Sequence, residues 1–95
     1  LLVPVMRANA AAGASNVADC AAEVADVFAP EQGGDALSGL AAWMTAQGLP
    51  RLADYGATAA MLPDLAAQGR AASSSQKNAL PLPVETYVTI LQAAL

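Results

Sequence analysis

Apolar residues recur at intervals of three and four along most of the chain, and the runs stop at glycine or proline. Val17, Cys20, Ala21, Val24, Val27 and Phe28 follow this period, with Asp19, Glu23 and Asp26 on the opposite side. Leu37, Leu40, Ala41 and Met44 repeat it, as do Met61, Leu62, Leu65 and Ala66, and then Val84, Tyr87, Val88, Leu91 and Leu95. A period near 3.6 is that of an amphipathic helix, and no segment alternates as a half-buried strand does. The pattern predicts an all-α fold of about five helices in a single domain spanning residues 1–95. Composition sharpens this: 25 of the 95 residues are Ala. Ala has the best helix propensity and the smallest side chain, so the helices must pack closely around a core thin in large groups.

The punctuation residues set the expected boundaries. A first helix runs to about Ala12, helical after Pro4 and ended by Gly13. Ser15 or Asn16 caps the second helix, and Asp35 caps a third over Ala36–Gln47. Gly48 stands where a left-handed residue closes a helix, and Gly56 does the same for a short turn over Arg51–Tyr55. Thr58 caps a helix over Ala59–Ala71, with Pro63 removing one hydrogen bond or tightening its first turn. Leu80-Pro81-Leu82-Pro83 reads as extended, because a residue before proline avoids the α region. The last helix covers Val84–Leu95 and starts at Pro83 without a side-chain cap.

Charge excludes several function classes. Eight acidic and four basic residues give a net charge of −4, and Arg7, Arg51, Arg70 and Lys77 are scattered rather than striped. Nucleic acid and anionic membrane surfaces are poor partners for such a chain. No apolar run reaches the ~18 residues of a membrane span. The lone Cys20 excludes an intrachain disulfide, which fits a cytoplasmic setting. It falls on the apolar stripe and is expected to be a buried small hydrophobe. With no His and one Cys, zinc-type ligation within the chain is excluded. Asp19, Glu23 and Asp26 have the spacing to hold an oxygen-ligated ion, but a solvated acidic face is the simpler reading. Trp43 and Tyr55 flank the Gly48-Leu49-Pro50 turn and are expected to pack together. The polar loop Ser73–Asn78 is the one candidate functional surface, since loops carry function more often than helices do.

Four segments together resemble a known family. Leu1-Leu2-Val3-Pro4-Val5-Met6-Arg7-Ala8-Asn9 is similar to the "LLPHVMRYN" helix of iron-containing (group III) alcohol dehydrogenases. Gly48-Leu49-Pro50-Arg51-Leu52-Ala53-Asp54-Tyr55-Gly56 resembles that family's "GLP-x-x-L-x-x-x-G" turn, and Met61-Leu62-Pro63-Asp64-Leu65-Ala66 the helix after it. Lys77-Asn78-Ala79-Leu80 through Ile90-Leu91-Gln92-Ala93-Ala94-Leu95 resembles the closing "NPR-x-x-T-x-E-D-I-x-x-I-L-x-x-A" pattern. The likeness covers nearly the whole chain in order. Departures are Val3 and Pro4 in place of Pro and a polar residue, Ala79 and Leu80 in place of Pro and Arg, and Pro83 in place of a capping Thr or Ser. They put in question whether the Asn78 loop keeps the family's shape.

The resemblance implies the helical domain of a two-domain enzyme of the dehydroquinate synthase-like class. Such an enzyme transfers hydride between NAD(P) and a small alcohol, with Fe2+ or Zn2+ polarising the substrate oxygen. The family's metal ligands, an Asp and three His, lie upstream of the segment matching Leu1. This chain is thus expected to be the C-terminal part of the helical domain, with an N-terminal nucleotide-binding domain as its partner. The apolar opening without an initiator Met agrees with a piece of a longer polypeptide. No catalytic, cofactor-binding or metal-binding residue falls on it, and alone it is expected to be inactive. Ser74 and Asn78 carry over as substrate-pocket residues. Exposed Leu1–Met6 is expected to drive self-association. The alternative is a free-standing helical interaction module whose first helix docks in a partner's groove.

Overall fold

Gly48 and Gly56 each close a helical segment with positive φ, +74° and +89°, as their positions predict. The computed structural model describes all residues, Leu1–Leu95, and contains no strand. Its five α-helices are α1 (Leu2–Ala11), α2 (Ser15–Val27), α3 (Ser38–Ala46), α4 (Leu62–Ala71) and α5 (Val84–Ala94). Short 3-10 turns cover Leu52–Tyr55, Ala59–Met61 and Ser75–Lys77. The fold is all-α with about five helices, as the periodicity predicts.

Helix starts differ from expectation, each for a physical reason. α1 begins at Leu2, ahead of Pro4. A first-turn residue has no intrahelical partner for its N–H, so proline costs nothing there. Ser15 lies inside α2 rather than capping it, and no side chain caps that helix. The tight link from α1 decides its start: Ala14 is buried and its N–H donates to the Asn9 carbonyl at 3.0 Å. Asp35 does turn the chain into α3, its Oδ1 accepting the Leu37 N–H at 3.2 Å, but the helix begins only at Ser38. The Ser38 hydroxyl donates to the Asp35 carbonyl (2.7 Å) and accepts from the Glu31 N–H (2.9 Å), holding the intervening turn. Thr58 makes no capping bond. Pro63 has no N–H to give to Ala59, so Ala59–Met61 winds as a 3-10 turn and α4 follows it.

The core lies in two parts bridged by α1. Val3 of α1, Ala21 of α2, and Leu37 and Leu40 around the start of α3 form one cluster, with Met6, Val24, Phe28 and Met44 against it. Leu62 and Ala66 of α4, with Leu82 and Ile90, are the buried residues of the other part, where α4 packs along α5. α1 packs on α2 by one side and on α5 by another. Only 11 of 95 residues are buried, so each large apolar side chain carries an unusual share of the core. Gly39 allows α3 to approach the end of α2. A Cβ there would collide with the Phe28 and Ala29 carbonyl oxygens.

Packing expectations are corrected in four places: Met61 and Leu65, expected on the apolar face of α4, are 50% and 39% exposed, and Ile90, off the expected stripe, is the buried residue of α5. Cys20 is exposed. The inward line of α2 is Val17, Ala21, Val24 and Phe28. Cys20 and Val27, seven residues apart, share an outer line, and Val27 is 76% exposed. Trp43 packs on Phe28, ring centroids 5.3 Å apart at 53°, and not on Tyr55, which is 77% exposed. Trp43 faces the end of α2 from α3, while the Leu49-Pro50 turn carries Tyr55 to the surface. No helix is long and apolar enough to cross a membrane.

Candidate functional site

The Ser73–Asn78 loop joins α4 to the extended run before α5, and one amide pair fixes it. Asn9, on α1 and 3% exposed, donates from Nδ2 to the Val5 carbonyl and to Asn78 Oδ1, both at 3.0 Å. Asn78 donates from Nδ2 to Asn9 Oδ1 and to the Leu80 carbonyl, both at 2.7 Å. All four amide N–H donors of the pair are therefore used. The clasp ties α1 to a loop 69 residues later in the chain. It also turns the chain into Leu80-Pro81-Leu82-Pro83, where prolines withhold backbone donors. Asn78 is thus a positioning residue: it has no N–H left for a ligand.

Ser74 opens the Ser75–Lys77 turn, its carbonyl accepting the Lys77 N–H at 3.2 Å. Ser74 and Asn78, named from sequence, line one cavity of about 270 Å3 with Leu1, Val5, Leu65 and Tyr87 among its walls. The cavity is mostly apolar and lies where α1, α4 and α5 converge. On the other side of the same loop, a cleft of about 550 Å3 opens between the end of α4 and the start of α5. Arg70 stands in it, its Nε donating to the Leu82 carbonyl at 3.2 Å.

The other candidates do not converge. Asp19, Glu23 and Asp26 are exposed along α2, and no three His, Cys, Asp or Glu side chains approach closely enough to hold a metal ion. Of the apolar opening segment, Leu1 and Leu2 are 56% and 54% exposed, whereas Val3 is buried and Val5 and Met6 are half-buried. The exposed part of the expected self-association surface is therefore those two residues.

Sequence reasoning missed Asn9 and the partner of Asp35. Asn9 had a signal: it falls four residues after Val5, on an inward line of an otherwise apolar helix. Arg7 meets Asp35 in a two-pronged ion pair, Nε to Oδ2 at 2.7 Å and Nη2 to Oδ1 at 2.8 Å. Hydrogen bonding from Arg7 lowers the Asp35 carboxyl from its ordinary value, burial opposes it, and the Arg7 charge adds to the lowering. Both residues are about half exposed, so water screens the pair.

Comparison of the chain with protein-family models, with curated proteins and with solved structures finds no match.

Proposed function

We propose that the chain is the C-terminal helical-domain part of a metal-dependent, NAD(P)-linked alcohol dehydrogenase that interconverts small alcohols and aldehydes or ketones. Its own contribution is to hold the Ser73–Asn78 loop in a fixed place. The observation that supports this reading is the Asn9–Asn78 clasp. Two of the segments that resemble the family, Leu1–Asn9 and Lys77–Leu80, meet through part-buried hydrogen bonds between Asn9 and Asn78. A chance likeness gives no reason for those two to be partners.

The residues present do not fit the family's metal. The chain has no His and no converging donor set. In this proposal Fe2+ or Zn2+, and the nucleotide, are held by residues outside the chain, on its N-terminal partner domain and the upstream part of the helical domain. The chain supplies packing and a loop, with Ser74 facing the cavity and Asn78 holding the loop's exit.

Two measurements test the reading. The product of the whole reading frame should oxidise small alcohols with NAD or NADP and lose that activity on chelation. The 95-residue chain alone should bind neither nucleotide nor divalent metal. A start codon within a few residues of Leu1 would sink the proposal, as would saturable NAD binding by the isolated chain.

A second reading, a helical interaction module, draws on the exposure of Leu1 and Leu2 beside a groove of about 550 Å3 that also contains Met44 and Leu49. It predicts a reading frame of about this length and capture of a protein partner that Leu2→Glu abolishes. A reading frame that continues well upstream of Leu1 removes it.

A further inference from the structure

We propose that the cleft between α4 and α5 is a binding site for a small monocarboxylate with a short hydrocarbon tail, anchored by Arg70. The inference does not depend on the dehydrogenase reading. It rests on what lines the cleft and on what Arg70 lacks.

Arg70, itself exposed to water, is the single charged residue on the cleft wall. The chain carries a net charge of −4, yet no carboxylate lies within ion-pairing distance of Arg70; the chain's ion pair is Arg7–Asp35. Neighbouring charges in sequence, Lys77 and Glu85, do not line the cleft. The hydrogen bond from Nε to the Leu82 carbonyl fixes the plane of the guanidinium and leaves the two Nη groups for an outside acceptor. A planar fork held in one orientation matches a carboxylate in two-pronged geometry, and less ordering is lost when it binds. Ser75 and Tyr87 also line the cleft, and their hydroxyl groups form no hydrogen bond within the chain. Leu80 and Val84 supply an apolar flank.

The combination selects a ligand class. The planar fork of Arg70 suits the two oxygens of a carboxylate, and the apolar flank suits a hydrocarbon tail. The apolar flank gains from a hydrocarbon tail at about 25 cal/mol per Å2 removed from water. The open cleft, of about 550 Å3, has room for an acid of about six carbons.

The test is an amide NMR titration of the 95-residue protein with hexanoate, with hexanamide and inorganic phosphate as parallel arms. Hexanoate should give saturable shifts at Arg70, Ser75 and Tyr87, and hexanamide should not. Arg70→Gln should weaken binding about tenfold or more, the loss expected for a charged hydrogen-bonded anchor. Arg70→Gln also removes the bond to Leu82, so Val84→Asp serves as a second variant. It sets a competing carboxylate on the cleft wall, suits the first turn of α5, and should weaken hexanoate comparably. Equal responses to hexanoate and hexanamide would overturn the proposal, as would undiminished binding by folded Arg70→Gln or by Val84→Asp. Tighter binding of phosphate than of hexanoate would overturn the ligand class, and no saturable response at all would overturn the site.

Discussion

α1 makes two joints of opposite chemistry. Toward α2 and α3 it buries Val3 among Ala21, Leu37 and Leu40. Toward the Ser73–Asn78 loop it offers a buried amide, Asn9, which is closed by another amide. The apolar joint is non-directional: any side chains of suitable volume fill it, and its strength scales with area removed from water. The polar joint is directional, and its net gain is small when whole. It becomes costly when half is removed, because the remaining amide keeps only its bond to a backbone carbonyl. One helix therefore has a broad, tolerant attachment on one side and a narrow, specific one on the other.

The largest effects should come from the apolar side. Leu40→Ala is expected to destabilise by about 3 kcal/mol, combining lost burial with a cavity that so small a core cannot collapse around. Against a total stability of roughly 5–15 kcal/mol, that is a large fraction. Gly39→Ala should cost about 2 kcal/mol or more, because the added methyl meets the Phe28 and Ala29 carbonyls and α3 must back away. Chemical unfolding followed by helical circular dichroism reads both. A Gly39→Ala protein as stable as the parent would mean that α3 does not sit against the end of α2.

The polar joint comes next. Asn9→Ala should destabilise by about 1 kcal/mol, because the half-buried Asn78 amide keeps only its bond to the Leu80 carbonyl. Asn78→Ala should cost a similar amount, and the double variant much less than the sum. Additive losses would show that the amides do not act as a pair. Trp43 gives a local readout, since it reports on the α2–α3 corner through Phe28 and not on the loop. In Asn9→Ala, the circular dichroism transition should begin before the Trp43 fluorescence transition, because α4 and α5 then hold α1 only through the packing of α1 on α5. Coincident transitions in that variant would show that the two joints melt as one.

The same contrast explains what was legible in the sequence. Periodicity reports apolar faces, so the five helices and inward positions such as Leu37, Leu40, Leu62 and Ala66 were readable from spacing, whereas Val27, Met61 and Leu65, read as inward, are exposed, and Ile90, the buried residue of α5, falls off the stripe that spacing picked out. Glycines at Gly48 and Gly56 marked ends because positive φ excludes most other residues. Failures came where one residue's environment depends on distant chain. Cys20 matched the period but lies at the stripe's edge, and three- and four-residue spacing does not separate an edge from a centre. Trp43 chose Phe28 over Tyr55 because tertiary geometry, not proximity in sequence, decides aromatic partners. The site was half legible. Ser74 and Asn78 were picked out through family resemblance and do line one cavity, but the clasp that fixes Asn78 needs a partner 69 residues away. No local pattern encodes such a pairing. Arg70 looked like one of four scattered cations, and only the fold shows it facing a cleft without a carboxylate.

The smallest effect belongs to a third contact of α1, the Arg7–Asp35 ion pair, and it sets the scale for the other two. Its geometry is two-pronged, yet both side chains are about half in water, so Arg7→Ala should cost less than about 1 kcal/mol. Asp35 has its carboxyl held below the ordinary value in the folded protein. The unfolded chain then binds the proton more readily. The pair's contribution is present above the ordinary carboxylate range and fades as pH falls through that range toward the lower folded value. At neutral pH the contribution is flat, and added salt should reduce it. Comparing parent and Arg7→Ala unfolding from neutral pH down through the carboxylate range isolates this contact, because the difference between them should shrink on acidification. A difference that is constant across the range would assign the loss to the packing of the Arg7 stem on α1. The ion pair would then be an ornament of the surface, and the attachment of α1 would rest on Val3 and Asn9.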